Sequence, residues 1–315
     1  MPISTLAKVV NYKKHANFKT RMMLKELLKS KVSRSGVTQS RIVSQLNLYH
    51  KEFENLDDIT FSRWVNGRTK PSRLKTFLLV LFFSYEDTDE RFFLFKKIFH
   101  HTKCDKNYIK KLEDKKKLLS DSYHNIKNVD FIRASKLEQE VPIKQMQKYL
   151  STVHLRSSII YDKIISSIPQ NKIKNVFCSI PHKDYNHLNH LPYICYDKVK
   201  EKEIILIRDN IWISNTDEST LNLLICLPGY ATSMKNYDLM SKSILYSLLQ
   251  QESQYIMKTK IIAFIRHSIT FEFYLMNGFS LQKIIYLDGL RYYIVIANAE
   301  DVLSSRYCIS LLTEN

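Results

Sequence analysis

Apolar side chains recur at helical spacing through the first third of the chain. Leu24, Leu27 and Leu28 share one face of a first helix. Leu74, Phe77, Leu78 and Leu81 follow the i, i+3, i+4, i+7 spacing of a later one. Between them Ser35-Gly36-Val37-Thr38 reads as a turn whose last residue N-caps a helix over 39–46. A short helix is predicted over 59–65, capped by Asp57 or Asp58 and stopped at Asn66-Gly67, where glycine tolerates the left-handed conformation. Pro71 is expected to open the next helix, with Ser72 beside it. The run 91–99 is apolar on too many sides for an exposed helix, so it either completes this core or forms a dimer interface, the second being favoured. Residues 103–150 read as Lys-rich and helical, with the run Lys115-Lys116-Lys117 best explained as a solvated face.

From about residue 204 the period changes. Strands are predicted over 204–207, 211–213, 221–227 and 260–265, and a hairpin over 281–287 and 290–297 turns at Asp288-Gly289. Helices are predicted over 237–250, with Tyr237, Met240, Ile244, Leu245 and Leu248 on one face, and over 269–276, ended by Asn277-Gly278. Strand, helix, strand, helix, strand, strand is an α/β order. The expected fold class is therefore multidomain: an all-α N-terminal domain over 1–84, a helical linker or dimerisation segment over 85–170, and an α/β domain over 171–315.

Charge changes this picture, because it is unevenly spread. The chain of 315 residues carries +17, yet residues 1–150 hold 31 basic and 16 acidic side chains while residues 201–315 hold 10 and 12. Clustered cations gain affinity for polyanions by releasing counterions from phosphates, so the N-terminal half is the candidate nucleic-acid module. Lys8, Lys13, Lys14, Lys19 and Arg21 form either an arm along a phosphate backbone or a solvated tail. No apolar run reaches the length of a membrane span and Met1 to Val10 lacks a secretion signal's apolar stretch, so no membrane partner and a cytoplasmic location are expected. The five cysteines are odd in number and widely spaced, which suggests reduced thiols. With five glycines in all, neither GxGxxG nor GxxxxGK[ST] occurs, and no cofactor is expected.

On the predicted short helix Phe61 and Trp64 lie three apart and should face the core. That leaves Asp58, Ile59, Thr60, Ser62 and Arg63 outward, before Asn66 and the basic turn Arg68-Thr69-Lys70. Two stretches, Thr38-Gln39 and the string from Ile59 to Ser72 that contains Asn66-Gly67-Arg68-Thr69-Lys70-Pro71, resemble the Cro/lambda-repressor-like (XRE) helix-turn-helix family. The resemblance covers roughly 18–83. It implies double-stranded DNA as partner, residues 59–65 as recognition helix, and half-sites read by a two-fold homodimer. Arg63 is the best base reader, since a guanidinium bonds guanine O6 and N7 together. Gln39 at a helix N-terminus and Arg68, Thr69 and Lys70 would hold phosphates. The chain departs from the family in its connection from Asn47 to Asp58, which is several residues longer than usual.

In the second half, the element order together with Phe273-Tyr274-Leu275-Met276-Asn277-Gly278-Phe279 resembles the later part of the GNAT acyltransferase fold, over about 204–300. In active members of that family the tyrosine matching Tyr274 protonates a leaving thiolate, and a glycine-rich turn wraps the coenzyme A pyrophosphate. Here Met234-Lys235-Asn236-Tyr237-Asp238-Leu239-Met240 fills that region without glycine. The resemblance thus implies either a degenerate domain that senses a small acyl-type ligand or serves assembly, with Tyr274 a packed aromatic, or an acyltransferase fused to a DNA-binding domain. A nucleic-acid-binding structural protein without a ligand is the third alternative. Elsewhere Cys178, His182, Asp184, His187, His190 and Cys195 crowd into a stretch that Pro181 and Pro192 mark as an irregular loop. Cys and His are zinc ligands, but the spacing fits neither CxxC nor HExxH, and no metal is the favoured reading.

Overall fold

The computed structural model of the chain describes residues 23–33, 36–85, 87–100, 138–140, 142–153, 161–162, 173–181, 188–199, 221–227, 234–287 and 289–313. These form two compact units. One holds the N-terminal residues to Cys104 together with Leu249–Ser253 and Leu303–Asn315; the other holds Asp105–Leu248 and Gln254–Val302.

The first unit is helical. Its elements are α1 (residues 23–33), α2 (Gln39–Tyr49), a single 3₁₀ turn Lys51–Phe53, α3 (Asp58–Val65), α4 (Arg73–Phe83), α5 (Thr88–Phe99) and, from the far end of the sequence, α11 (Arg306–Thr313). Side-chain caps start the helices where the composition suggested. Thr38 accepts from Arg41 N–H at the head of α2, and Asp57, rather than Asp58, accepts from Thr60 N–H at 2.5 Å at the head of α3. Ser72, not Pro71, caps α4, accepting from Lys75 N–H at 3.1 Å, so the helix opens two residues later than expected. The long connection after α2 is partly absorbed by extending that helix to Tyr49 and partly by the 3₁₀ turn, whose Phe53 is fully buried.

Helix α4 is the axis of this core. Phe77, Leu78, Leu79, Val80 and Leu81 are all fully buried, a continuous run that needs neighbours on every side. Helix α5 is one of them: Leu94, Phe95, Ile98 and Phe99 are buried, with Phe95 edge-on to Phe77 at 6.0 Å. The run 91–99 therefore completes its own core, and the expectation that it serves as a dimer interface loses its basis, although Phe93 stays 62% exposed. A Lys31–Glu90 ion pair of 2.8 Å ties α1 to α5. Helix α11 packs on α5 through a buried face that includes Tyr307, Ile309 and Leu312.

The second unit is a mixed sheet with helices. Among the described residues seven strands, β1 (Glu138–Glu140), β2 (Ile173–Pro181), β3 (Leu188–Val199), β4 (Leu221–Cys226), β5 (Thr259–Ile265), β6 (Ser280–Leu287) and β7 (Leu290–Asn298), lie in the order β1-β2-β3-β4-β5-β7-β6. Every neighbouring pair is antiparallel except β4 and β5, whose parallel register runs from Asn222 opposite Thr259 to Cys226 opposite Ala263. A parallel pair needs a crossover, supplied by α7 (Met234–Leu249) and the short α8 (Ser253–Met257). The remaining helices are α6 (Ile143–Val153), α9 (Ser268–Met276) and α10 (Ala299–Leu303). Strands β4 and β5 are buried on both faces, which explains their largely apolar composition.

A helical and an α/β part are thus both present, but divided differently from the boundaries 1–84, 85–170 and 171–315. Helix α5 joins the first unit because its apolar face fits there. Residues 303–315 join it because α11 packs on α5. The expected helical middle contributes a strand, β1, paired with β2 from Glu138 opposite Cys178 to Glu140 opposite Val176. The expected arm 1–22, the Lys-rich stretch 101–137, the strands over 204–207 and 211–213, and Pro228-Gly229 lie outside the described residues.

Gly278 ends α9 at φ 91°, and a Cβ there would lie 3.2 Å from Asp301 Cβ and 3.3 Å from the Asp301 carbonyl oxygen. Gly278→Ala is expected to cost about 1–2 kcal/mol in chemical denaturation through left-handed strain and crowding against backbone. A change near zero would mean that this turn relaxes freely.

Candidate nucleic-acid interface

Helix α3 is held by one face and open on the other. Phe61, Trp64 and Val65 are buried, the first two edge-on at 6.4 Å, and hydrogen bonds at both ends fix the helix. At its head the Asp57 carboxylate is held below its ordinary range, first by the Thr60 N–H bonds and then by the nearby Arg63 cation. Ser40 Oγ donates to Asp58 Oδ2 at 2.9 Å, bracing the start of α3 against the start of α2. At its foot Asn66 Nδ2 donates to the Ser62 carbonyl at 3.0 Å, and Gly67 adopts φ 66°. Arg68 and Thr69 then donate their N–H groups to the Arg63 carbonyl at 2.8 and 3.3 Å, folding the basic turn back under the helix.

The outward side chains are consequently ordered by position. Ile59 is 66% exposed, Asp58, Arg63, Asn66, Arg68 and Thr69 are exposed, and Thr60, Ser62 and Lys70 are half-buried. Thr38 is exposed and Gln39 half-buried in the first turn of α2. Of the residues singled out from sequence, Asp58, Ser62 and Asn66 have local bonds that organise the helix ends. Ile59, Arg63, Arg68 and Thr69 make no side-chain hydrogen bond among the described residues and are open to a partner.

Sequence reasoning passed over Ser40 and Arg73. Ser40 sits two residues after the Thr38 cap, so the bracing partner was visible as a type but not as a contact. Arg73 opens α4, and burial together with the neighbouring Arg306 lowers its pKa; burial and Arg73 do the same to Lys70. Arg73 is nonetheless exposed and Lys70 half-buried.

The second unit holds a different polar group. Tyr274 is half-buried, its hydroxyl 3.4 Å from that of Tyr237 and its ring edge-on to Phe279 at 4.8 Å. Burial pushes the Tyr237 hydroxyl up to about 12. The stretch Met234–Met240 is not a turn: α7 begins at Met234 and carries it. Cys226 is half-buried with its thiol pushed up to about 12, mainly by desolvation, and offers no thiolate nucleophile.

The supposed irregular loop around Cys178 and Cys195 is largely a pair of long strands, with Pro192 inside β3 opposite Phe177. Cys195 pairs with Lys174, and Cys178 with Leu191 beside the Ser179–His190 pair. Lys174 and Cys178 are four residues apart on one strand, roughly 13 Å at the rise of an extended chain, too far for both thiols to reach one zinc. His182, Asp184 and His187 lie outside the described residues. Among the described residues no helix is long and apolar enough to cross a membrane.

No family model matches the chain, and no curated protein matches it. Among solved structures, an uncharacterized protein from Bacillus halodurans is similar at 12% identity, over 56% of this chain and 91% of that one, with a TM-score of 0.34. That overlap is too loose to transfer either a fold or a role.

Proposed function

We propose that the chain is a sequence-specific DNA-binding transcriptional regulator. In this reading the helical unit is a Cro/lambda-repressor-like helix-turn-helix that lays α3 in the major groove of double-stranded DNA and acts as a homodimer. The observation that carries it is the two-sidedness of α3: Phe61, Trp64 and Val65 anchor it, while Ile59 and Arg63 face outward just before a basic turn. Arg63 suits guanine and the exposed Ile59 suits a thymine methyl group. Arg68, Thr69 and Lys70 suit phosphates, which set register without reading bases.

For the α/β unit the element order that carries the GNAT resemblance, strand, helix, strand, helix, strand, strand, supports a GNAT-like domain. Its role in this reading is to sense a small acyl-type ligand or to support oligomerisation. Acyl transfer is the less favoured role, since the Met234–Met240 segment is helical and Tyr274 is paired with Tyr237.

Selection from a random duplex pool, followed by binding of the winner over a salt series, tests the reading. A two-fold symmetric motif should emerge, with half-sites about one helical turn apart and affinity falling steeply with salt. A pool that yields no enriched sequence would leave only non-specific binding and sink the regulator.

A further inference from the structure

Helix α5 has two faces. The inner one, with Leu94, Phe95, Ile98 and Phe99, is spent on the core of its own unit, so apolar excess gives no reason for a dimer there. The outer face gives a different reason. Asp89, Phe93 and Lys97 are all exposed and stand four residues apart, so they share one stripe that is acidic at its start, aromatic in its middle and basic at its end. Charges placed in this way also suit the helix dipole. The dipole does not explain a phenylalanine left 62% exposed between them. Among the described residues Lys31 pairs with Glu90, and neither Asp89 nor Lys97 has an ionic partner. The Lys97 ammonium instead lies 5.9 Å from the centroid of the Phe93 ring, its stem laid along the exposed aromatic surface.

A stripe whose charges are opposite on either side of its middle is complementary to itself when turned end for end. We propose that α5 packs antiparallel against α5 of a second copy of this chain, with Phe93 at the two-fold axis beside the partner's Phe93. Four residues to either side, about 6 Å along the helix, Asp89 then stands opposite the partner's Lys97, and Lys97 opposite the partner's Asp89. Two aromatic rings fill the centre and two ion pairs close the ends. Parallel packing would set like charges against each other at both ends, so the same residues select the orientation. A single helix of 12 residues offers a small contact, and the free dimer is expected to dissociate in about the micromolar range. The inference rests on the homodimer of the reading above and gives it a surface, but it needs no DNA to be tested.

Sedimentation equilibrium of the full chain without DNA, over a wide range of concentration, should show a reversible dimer. Phe93→Asp, Asp89→Lys and Lys97→Asp should each raise its dissociation constant by roughly tenfold or more, since each puts charge on the axis or like charges at both ends. An equal mixture of the Asp89→Lys and Lys97→Asp proteins should dimerise again, because both junctions of the mixed dimer join a cation to an anion. The variant carrying both changes should recover the homodimer for the same reason. A cost that the substitutions impose on α5 within one chain persists in the mixture, so this rescue separates an interface from a local effect. An unaltered protein that stays monomeric overturns the inference, as does a dimer indifferent to all three single changes. Single variants that stay monomeric when mixed overturn it too, and assign Asp89 and Lys97 to the stability of their own helix. A monomer that still selects one duplex sequence leaves the regulator standing without this interface. A dimer that behaves as expected while selection yields no sequence leaves the interface standing and sinks the regulator.

Discussion

Arg91→Ala is expected to destabilise the helical unit by about 3–5 kcal/mol, the range for stripping a buried charged group from its partners. Arg91 is fully buried, and its guanidinium serves four acceptors. Nη1 donates to the carbonyls of Leu249, at 3.1 Å, and Gln251. Nη2 donates to the Ser84 carbonyl at 3.3 Å and to Ser253 Oγ at 3.0 Å, and Ser253 in turn donates to the Leu81 carbonyl at 3.1 Å. The Tyr49 hydroxyl lies beside this network without a hydrogen bond to it, and burial pushes it up to about 12. Each buried acceptor left unpaired costs roughly 1–3 kcal/mol, and these are coupled, so their losses do not simply add. Urea denaturation of the purified variant measures the loss directly. Arg91→Lys should recover only part of it, because one ammonium cannot span the two sides that the planar fork serves. A loss below about 1 kcal/mol would show that water replaces the guanidinium and that the segment 249–253 is not held by it.

Arg63→Ala is expected to lower discrimination between the selected operator and a site changed at one guanine by about 1–3 kcal/mol, or roughly 5- to 150-fold. Its effect on non-specific affinity and on the salt slope should be small. The substitution is clean for a structural reason: what shapes the basic turn is the Arg63 main-chain carbonyl, which accepts from Arg68 and Thr69, not the exposed guanidinium. The cap at Asp57 also survives, since Thr60 contributes more to holding its carboxylate than Arg63 does. Competition binding with single-base variants of the operator would read the effect position by position. Equal loss at every position would make Arg63 a phosphate contact, and no loss at all would remove α3 from the groove.

Much of the helical unit was legible because its signals are local. The apolar spacing of Leu24 and Leu28, the caps at Thr38 and Asp57, and the Asn66-Gly67 stop each act within one or two turns of chain. The same holds for α7, β5, α9 and the hairpin at Asp288-Gly289, where period and turn residues agree. Strands β2 and β3 were not legible. Their His-, Cys- and Pro-containing sequence looks like a loop, and what makes them strands is the partner each finds in the other. β1, a polar Glu-Gln-Glu segment, is extended for the same reason.

The candidate site divides along the same line. By itself the sequence determined which residues of α3 turn outward and that a basic turn follows, because a 3.6-residue period and a glycine with positive φ leave little choice. Only the tertiary structure decided that Ser40 braces Asp58, that α5 packs into the core, that Arg91 meets residues 249–253, and that the helix Arg306–Thr313 packs on α5. Those partners are far apart along the chain, and no local pattern encodes which distant surface a helix will bury against. That choice is made by the shape and apolar area of the whole core, with α4 at its centre.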